Sequence, residues 1–408
     1  MSGGDGGEPG TARDGLAAGR PGYREVFGLA EFRALWAAQL LSVAGDQLAR
    51  VAVTVLVYDR THSALLAAAA YAASIVPVFL GGIALSGVTD RWPRRTVMIA
   101  CDLLRVPLAV LMAVPRAPLP ALVALLCVIT ALGAPFGSAR SAILPQVLGE
   151  DRYPLGTAVM MTTYQFAQVA GFAAGGTLAA ASGPRAALLA DAGTFACSAV
   201  LVMLRVRPRA APDPGPQRAG ARGSVAAGLR LVLGCRAVRT PLLLGWLSAF
   251  YNVPEALAAP LARGAGAGPR AVGLILAAAA LGSCAGSLAL TRLAGPAARA
   301  RWTAPLAVGA CAVLITAGLR PGLPVMLLIL LCSGLCDSYQ VGANASFVAA
   351  VPDHQRGQAF GLAVAGMNLG QGAVMVAAGA AAQRFGPFAV IAAAGAAGAV
   401  AAAWVTLS

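Results

Sequence analysis

The sequence predicts an all-α integral membrane protein with twelve transmembrane helices in two pseudo-symmetric six-helix bundles. Three observations carry this reading. The 408 residues are 58% hydrophobic and only 11% charged, with a mean hydropathy of +0.75, whereas a soluble domain is about a quarter charged. The apolar residues fall into twelve runs, each near the roughly 20 residues needed to cross a bilayer core. Arginine is spread unevenly between alternate gaps. A cytosolic enzyme and a disordered chain are both excluded by that composition.

Residues 1–32 are Gly-rich and charged, with no apolar core at the start. They read as a disordered cytoplasmic tail and not as a cleavable signal. The first half, 33–205, holds apolar runs at 33–58, 63–89, 96–115, 118–138, 155–180 and 185–205. The Pro-, Gly- and Arg-rich stretch 206–239 is a cytoplasmic linker. Within it, 228–238 (GLRLVLGCRAV) fits a helix lying on the inner membrane surface and an irregular linker equally well. The second half, 240–408, holds runs at 240–262, 270–291, 301–319, 322–346, 357–382 and 386–406.

The net charge is +14, and all 30 basic residues are Arg. That charge is scattered through short gaps and builds no compact basic domain, so nucleic acid is not a partner. Placing both termini in the cytoplasm leaves seven arginines in outer gaps: Arg60, Arg116, Arg185, Arg263, Arg270, Arg320 and Arg384. Arg50 and Arg105 lie inside spans, and the other 21 face inward, as the positive-inside rule requires. The expected location is the plasma membrane, as a multi-pass protein. The eight cysteines form no CxxC or Cys/His set, so no metal site is expected, and they read as small packing residues.

The halves resemble each other. Gln165 and Gln168 match Asn368 and Gln371 at one offset, which also relates Gly176 to Gly379 and Gly183-Pro184 to Gly386-Pro387. Duplicated halves around a midplane site are a recurrent transporter design.

The gap after the second run reads Gly87-Val-Thr-Asp90-Arg91-Trp-Pro-Arg94-Arg95. It resembles the signature loop of the major facilitator superfamily, with Ser86 where that loop has its first Gly. The segments Phe32-Arg-Ala-Leu-Trp36, Ser42-Val-Ala-Gly-Asp46, Met98 to Arg105, Ala139 to Pro145 and Val351 to Gly357 are similar to the macrolide-efflux and enterobactin-exporter branch. In the fifth run, Gly171, Gly175 and Gly176 resemble the antiporter motif, with Phe172 in place of its Pro. Small residues there also let helices pack closely. The resemblance implies export, by alternating access, of a small apolar or amphipathic molecule. A facilitator or importer of the same fold is the first rival, and a non-transporting receptor or assembly protein the second.

An Asp with three Arg at helix ends can pair across helices and break when the bundle opens. Asp90, Arg91, Arg94 and Arg95 are therefore the expected conformational switch. Charges inside spans are costly in lipid and mark function. Asp46 lies 13 residues beyond Arg33, about 20 Å deep at roughly 1.5 Å per residue. Arg50 is one turn further on the same face, so an ion pair is possible. Glu255 and Asp337 are deep and have no neighbouring charge in sequence. Asp46, Arg50, Glu255 and Asp337 are the proton-coupling candidates. Asp102 and Arg105 read as a structural pair, and Asp191 as an acid near the outer surface. Gln165, Gln168, Asn368 and Gln371 are candidates for the substrate cavity. No nucleotide-binding loop and no catalytic set occurs, so no cofactor and no enzyme activity are expected, and the chain is expected to act as a monomer driven by an ion gradient.

A cysteine introduced at Ser224, with Cys235 replaced, should react only with reagents that enter the cell; labelling of intact cells by an impermeant thiol reagent would reverse the orientation.

Overall fold

The computed structural model describes residues 22–85, 91–210, 235–352 and 356–407. These residues form helices and turns, with no strand among them. Residues 1–21, Asp90, linker residues 211–234 (with most of the 228–238 segment) and His354 lie outside the described residues. The end of the expected tail is helical. Tyr23–Gly28 forms α1, and the first span α2, Ala30–Thr61, begins before its apolar run does. Glu25 meets Arg152 at 3.6 Å and Glu31 meets Arg209 at 2.6 Å, which ties this entry segment to the bundle.

The second pass is α3 (Ala64–Ala72) and α4 (Val76–Ala84), interrupted just before Pro77, which removes a backbone donor. Helix α5 (Arg94–Met112) is the third. The gap expected over 139–154 is instead helical: α6 runs from Leu119 to Ser182 and turns only at Gly149, at φ 68° and ψ 175°. Its two arms supply the fourth and fifth passes, and α7 (Pro184–Arg205) completes the half.

The seventh pass is not one helix. It is α8 (Arg236–Trp246), α9 (Ser248–Tyr251), α10 (Val253–Ala256) and α11 (Ala258–Gly264). Its first helix starts inside the stretch read as linker. Pro241, Pro254 and Pro260 punctuate the run, each lacking an N–H. Then follow α12 (Pro269–Leu293) and α13 (Pro296–Ala312), the latter ending in a 3₁₀ turn, Val313–Leu319. Helices α14 (Leu323–Asp337) and α15 (Tyr339–Ala350) share the tenth pass, and α16 (Arg356–Phe385) and α17 (Pro387–Leu407) close the chain. Nine stretches among the described residues are long and apolar enough to cross a membrane. The charged α5 and the broken α8–α11 stretch fall outside that number, and folded α6 enters it once, so the architecture is compatible with twelve passes. Leu103, Leu104, Val110 and Leu111 on α5, with Val400 and Trp404 on α17, are exposed, as side chains facing lipid should be.

The halves meet where small residues let backbones touch. A Cβ built on Gly176 of α6 would lie 2.7 Å from the Gly273 Cα of α12. A Cβ on Gly379 of α16 would lie 2.6 Å from the Ala68 Cβ and 3.0 Å from the Ala64 carbonyl oxygen of α3. The duplication read from sequence thus joins one crossing to the other. It also extends to the turns, since Gly183 and Gly386 both hold φ 82° just before the proline that opens the next helix.

Three side-chain hydrogen bonds join the halves among the described residues. Tyr71 donates to Glu255 at 2.8 Å, Arg263 to Asp59 at 2.6 Å, and Gln383 to Ser63. All three lie toward the turn at 62–63, away from the 91–95 loop. The bundle is therefore sealed at the 62–63 end.

Gly273→Leu should lower the unfolding temperature in detergent, because filling this crossing costs about 1–3 kcal/mol; Gly193→Ala, which enters open space, should leave it unchanged. Equal unfolding temperatures for both variants would show that the crossing is loose.

Candidate functional site

Below the sealed end lies a cavity of about 360 Å³ bounded by both halves. From the first half come Arg50 on α2, Tyr71 on α3, and Tyr164 and Gln168 on α6. From the second come Tyr251 on α9, Glu255 on α10, Ser283 on α12, Asp337 at the end of α14, and Asn368 and Gln371 on α16. The broken seventh pass matters here: two single-turn helices carry Tyr251 and Glu255 into the same cavity.

Both acids that line the cavity from the second half are met by hydroxyl donors, as a carboxylate inside a membrane protein requires. Glu255 accepts from Tyr71 across the halves at 2.8 Å. Asp337 accepts from Tyr251 and, at 2.7 Å, from Ser283. Gln340 in turn donates to the Tyr251 hydroxyl at 2.9 Å, and Tyr339 donates to the Leu244 carbonyl at 2.8 Å.

A side chamber of about 190 Å³ opens within the first half, lined by Ser42, Asp46, Gln47, Arg50, Arg105, Arg140 and Tyr164. Arg50 and Tyr164 border both spaces. The expected Asp46–Arg50 ion pair does not form; it is not among the ion pairs of the described residues. Arg50 donates instead to the Ser74 carbonyl at 3.2 Å, in the break between α3 and α4 where backbone acceptors are free. Asp46 shares the chamber wall with both Arg105 and Arg50.

Other expected residues are distributed as follows. Gln168, Asn368 and Gln371 line the central cavity, whereas Gln165 lines neither space. Gly171 packs on Ala44 and Gln47, Gly175 on Leu48 and Val51, and Gly176 on Gly273. Arg91 is exposed. Arg94 donates to the Ala142 carbonyl at 2.8 Å and Arg95 to the Met203 carbonyl at 2.6 Å, both within the first half. Asp191, expected near the outer surface, is fully buried, because α7 presses it against α2 at Gly45. No group of three His, Cys, Asp or Glu side chains is placed to hold a metal among the described residues.

The tyrosines were missed at the sequence level. Three of the chain's seven, Tyr71, Tyr164 and Tyr251, line the cavity. The available signal was their position inside apolar runs, where a phenol must find a partner.

Two helical halves around a shared polar cavity define a multi-pass membrane protein of the transporter class. The sequence profile described as Major Facilitator Superfamily matches residues 35–255, and the chain belongs to that superfamily. No curated protein sequence matches it. Among solved structures, a POT family transporter in complex with a thioalcohol-conjugated peptide is 12% identical, at a TM-score of 0.72, covering 92% of this chain and 95% of that one. A bacterial homolog of the human lysosomal transporter Spinster, inward-facing and occupied, is 15% identical, at a TM-score of 0.70 and the same coverages, 92% and 95%. The nucleoside transporter NupG, solved as a point mutant, is 15% identical, at a TM-score of 0.69, covering 92% and 99%. At these identities the likeness is one of fold.

Tyr71→Phe removes the donor to Glu255 and should cost about 1–3 kcal/mol, read as a lowered unfolding temperature. Tyr164→Phe should change it less, since the Tyr164 hydroxyl takes only an exposed bond from Gln168; the opposite order would mean that the Tyr71 contact does not brace the halves.

Proposed function

We propose that the protein is a proton-coupled exporter of small apolar or amphipathic molecules, working by alternating access in the plasma membrane as a monomer with both termini in the cytoplasm. The observation that carries this reading is the polar cavity shared by the halves, with the inter-half hydrogen bonds of the described residues gathered toward one end. The arginine distribution puts the 91–95 loop inside, so the sealed end faces out and the cavity is available from the cytoplasm. Rocking of one half against the other would break the crossings at the sealed end and expose the cavity outward. Apolar and aromatic lining from Ile75, Val78, Phe172, Ile275 and Leu330 supports an amphipathic cargo. Direction rests on the resemblance to the exporter branch. Arg91, Arg94 and Arg95, with Asp90, are the proposed switch at the inner end.

Coupling is assigned to acids that border the two spaces: Asp46 in the side chamber, and Glu255 and Asp337 in the central cavity, with Arg50 between them. Burial penalises the charged carboxylate and a nearby cation favours it. An acid in that balance can change protonation when cargo arrives or helices move. A second reading, a facilitator or importer of polar molecules in the same fold, is favoured by the charged and hydroxyl-rich lining of the central cavity.

The test uses purified protein in liposomes with an imposed pH gradient and a panel of fluorescent amphipathic drugs. Wild type should concentrate a drug against its gradient, and Asp46→Asn should lose this while retaining drug binding and an unfolding temperature near that of wild type. Full gradient-driven transport by Asp46→Asn would remove Asp46 from the coupling step. Accumulation in the opposite direction would establish the importer.

A further inference from the structure

Arg105 is the largest fully buried side chain among the described residues, 1% exposed. It is held on every side. Its Nε donates to the Ile129 carbonyl at 3.2 Å and its Nη1 to the Ser42 hydroxyl at 3.5 Å. Its guanidinium carbon lies 5.0 Å from the Phe195 ring centre and 5.7 Å from that of Phe136, close enough for cation–π attraction.

One carboxylate contacts this cation and two more lie in its neighbourhood: Asp46 on the same chamber wall, and Asp191 one turn before Phe195 on α7. Asp102, one turn earlier on α5, is fully buried, and its nearer oxygen is 3.6 Å from Arg105 Nη1. That is an ion contact and too long for a hydrogen bond; neither Asp102 oxygen accepts one. Asp191 on α7 is fully buried too. Its Oδ1 takes the Thr194 hydroxyl at 3.5 Å, and its Oδ2 has no partner. Helices α2 and α7 touch here, because a Cβ on Gly45 would strike Thr194 and Asp191 Oδ1. Asp46, the next residue on α2, shares the side chamber with Arg105.

Asp102 and Asp191 line neither cavity. Asp102 contacts Arg105, whereas Asp46 borders the chamber together with both Arg105 and Arg50. The remaining polar or titratable neighbours are Cys101 on α5, Gln47 on α2, Ser198 and Thr194 on α7, and Arg140 and Tyr164 on the chamber wall. Three ionised carboxylates against one guanidinium would leave negative charge uncompensated where no water reaches two of them. Such charge is removed most cheaply by binding protons. The carboxylates do not converge as a metal-ligand set. They are linked through Arg105.

On the reading of the protein as a proton-driven transporter, we propose that Asp46, Asp102 and Asp191 form one proton-binding centre organised by Arg105. Asp102 and Asp191, which border neither space, hold a proton on a carboxylate oxygen, and Asp46 exchanges protons with the chamber. The proton held by Asp102 and Asp191 leaves by transfer to ionised Asp46, which passes it to the chamber; while it sits on Asp46, Arg105 is left to Asp102 and Asp191, and when it returns to them the ionised Asp46 competes for Arg105. Coupling thus resides in the sharing of one cation and not in a single acid.

Infrared titration of the full-length protein in liposomes reads protonated carboxyl groups directly. Wild type should keep carboxylic-acid absorption at neutral pH, and Asp102→Asn and Asp191→Asn should each remove part of it. Glu255→Gln should leave that part in place. Unchanged absorption in both Asp→Asn variants would overturn the proposal. So would loss of the wild-type absorption on adding sodium at constant pH, which would make this a cation site. Gradient-driven drug transport in the same liposomes separates the two claims. Variant-sensitive absorption without any gradient-driven transport leaves the centre standing and defeats the exporter reading. Gradient-driven transport with variant-insensitive absorption does the reverse.

Discussion

Two backbone-to-backbone crossings set the shape of this molecule: Gly176 on Gly273, and Gly379 on Ala68 and Ala64. Lipid tails are as apolar as leucine, so helices in a bilayer gain little from apolar contact as such and associate through close packing. A side chain at either crossing would force the halves apart. Both crossings lie toward one end, and the cavity lined by both halves lies below them. The same arrangement makes the contact separable, since it rests on small residues and three side-chain hydrogen bonds, not on an interlocked core.

The polar groups follow from where that space lies. Arg50, Glu255 and Asp337 border the cavity, where water or cargo can meet them, and tyrosine and serine hydroxyls supply donors to the two acids. Asp102 and Asp191 border neither space, and Asp102 meets Arg105 without a hydrogen bond. The first set suits recognition of a cargo, and the second suits storage of a proton. The Tyr71–Glu255 bond links the sealed contact to the cavity, so opening that end and freeing Glu255 are one event.

Much of this was legible in the sequence. The runs of apolar residues placed the passes, because spanning a bilayer demands length and hydropathy. The common offset that relates Gly176 to Gly379 read as duplication, and the structure puts each of the two glycines at a crossing between the halves. Where prediction failed, the cause was local backbone or tertiary packing. Hydropathy drops across 139–154, where Arg140, Glu150, Asp151 and Arg152 fall, so the helical extension of α6 through this stretch, with its one turn at Gly149, was not visible. A linear sequence could not show that Arg50 would turn to a free carbonyl at Ser74 instead of pairing with Asp46. Nor could six residues from Arg185 reveal that Asp191 is pressed inward at Gly45. The cavity tyrosines are three scattered letters until the fold gathers them.

The central claim is that the crossings part and reseal during transport. Spin labels at Arg60 and Arg384, both near the sealed end, would report it by pulsed electron resonance in liposomes, in a background with the native cysteines replaced. The account predicts a short separation and a distinctly longer one, whose proportions change with pH and added drug. One unvarying short separation under all these conditions would contradict it.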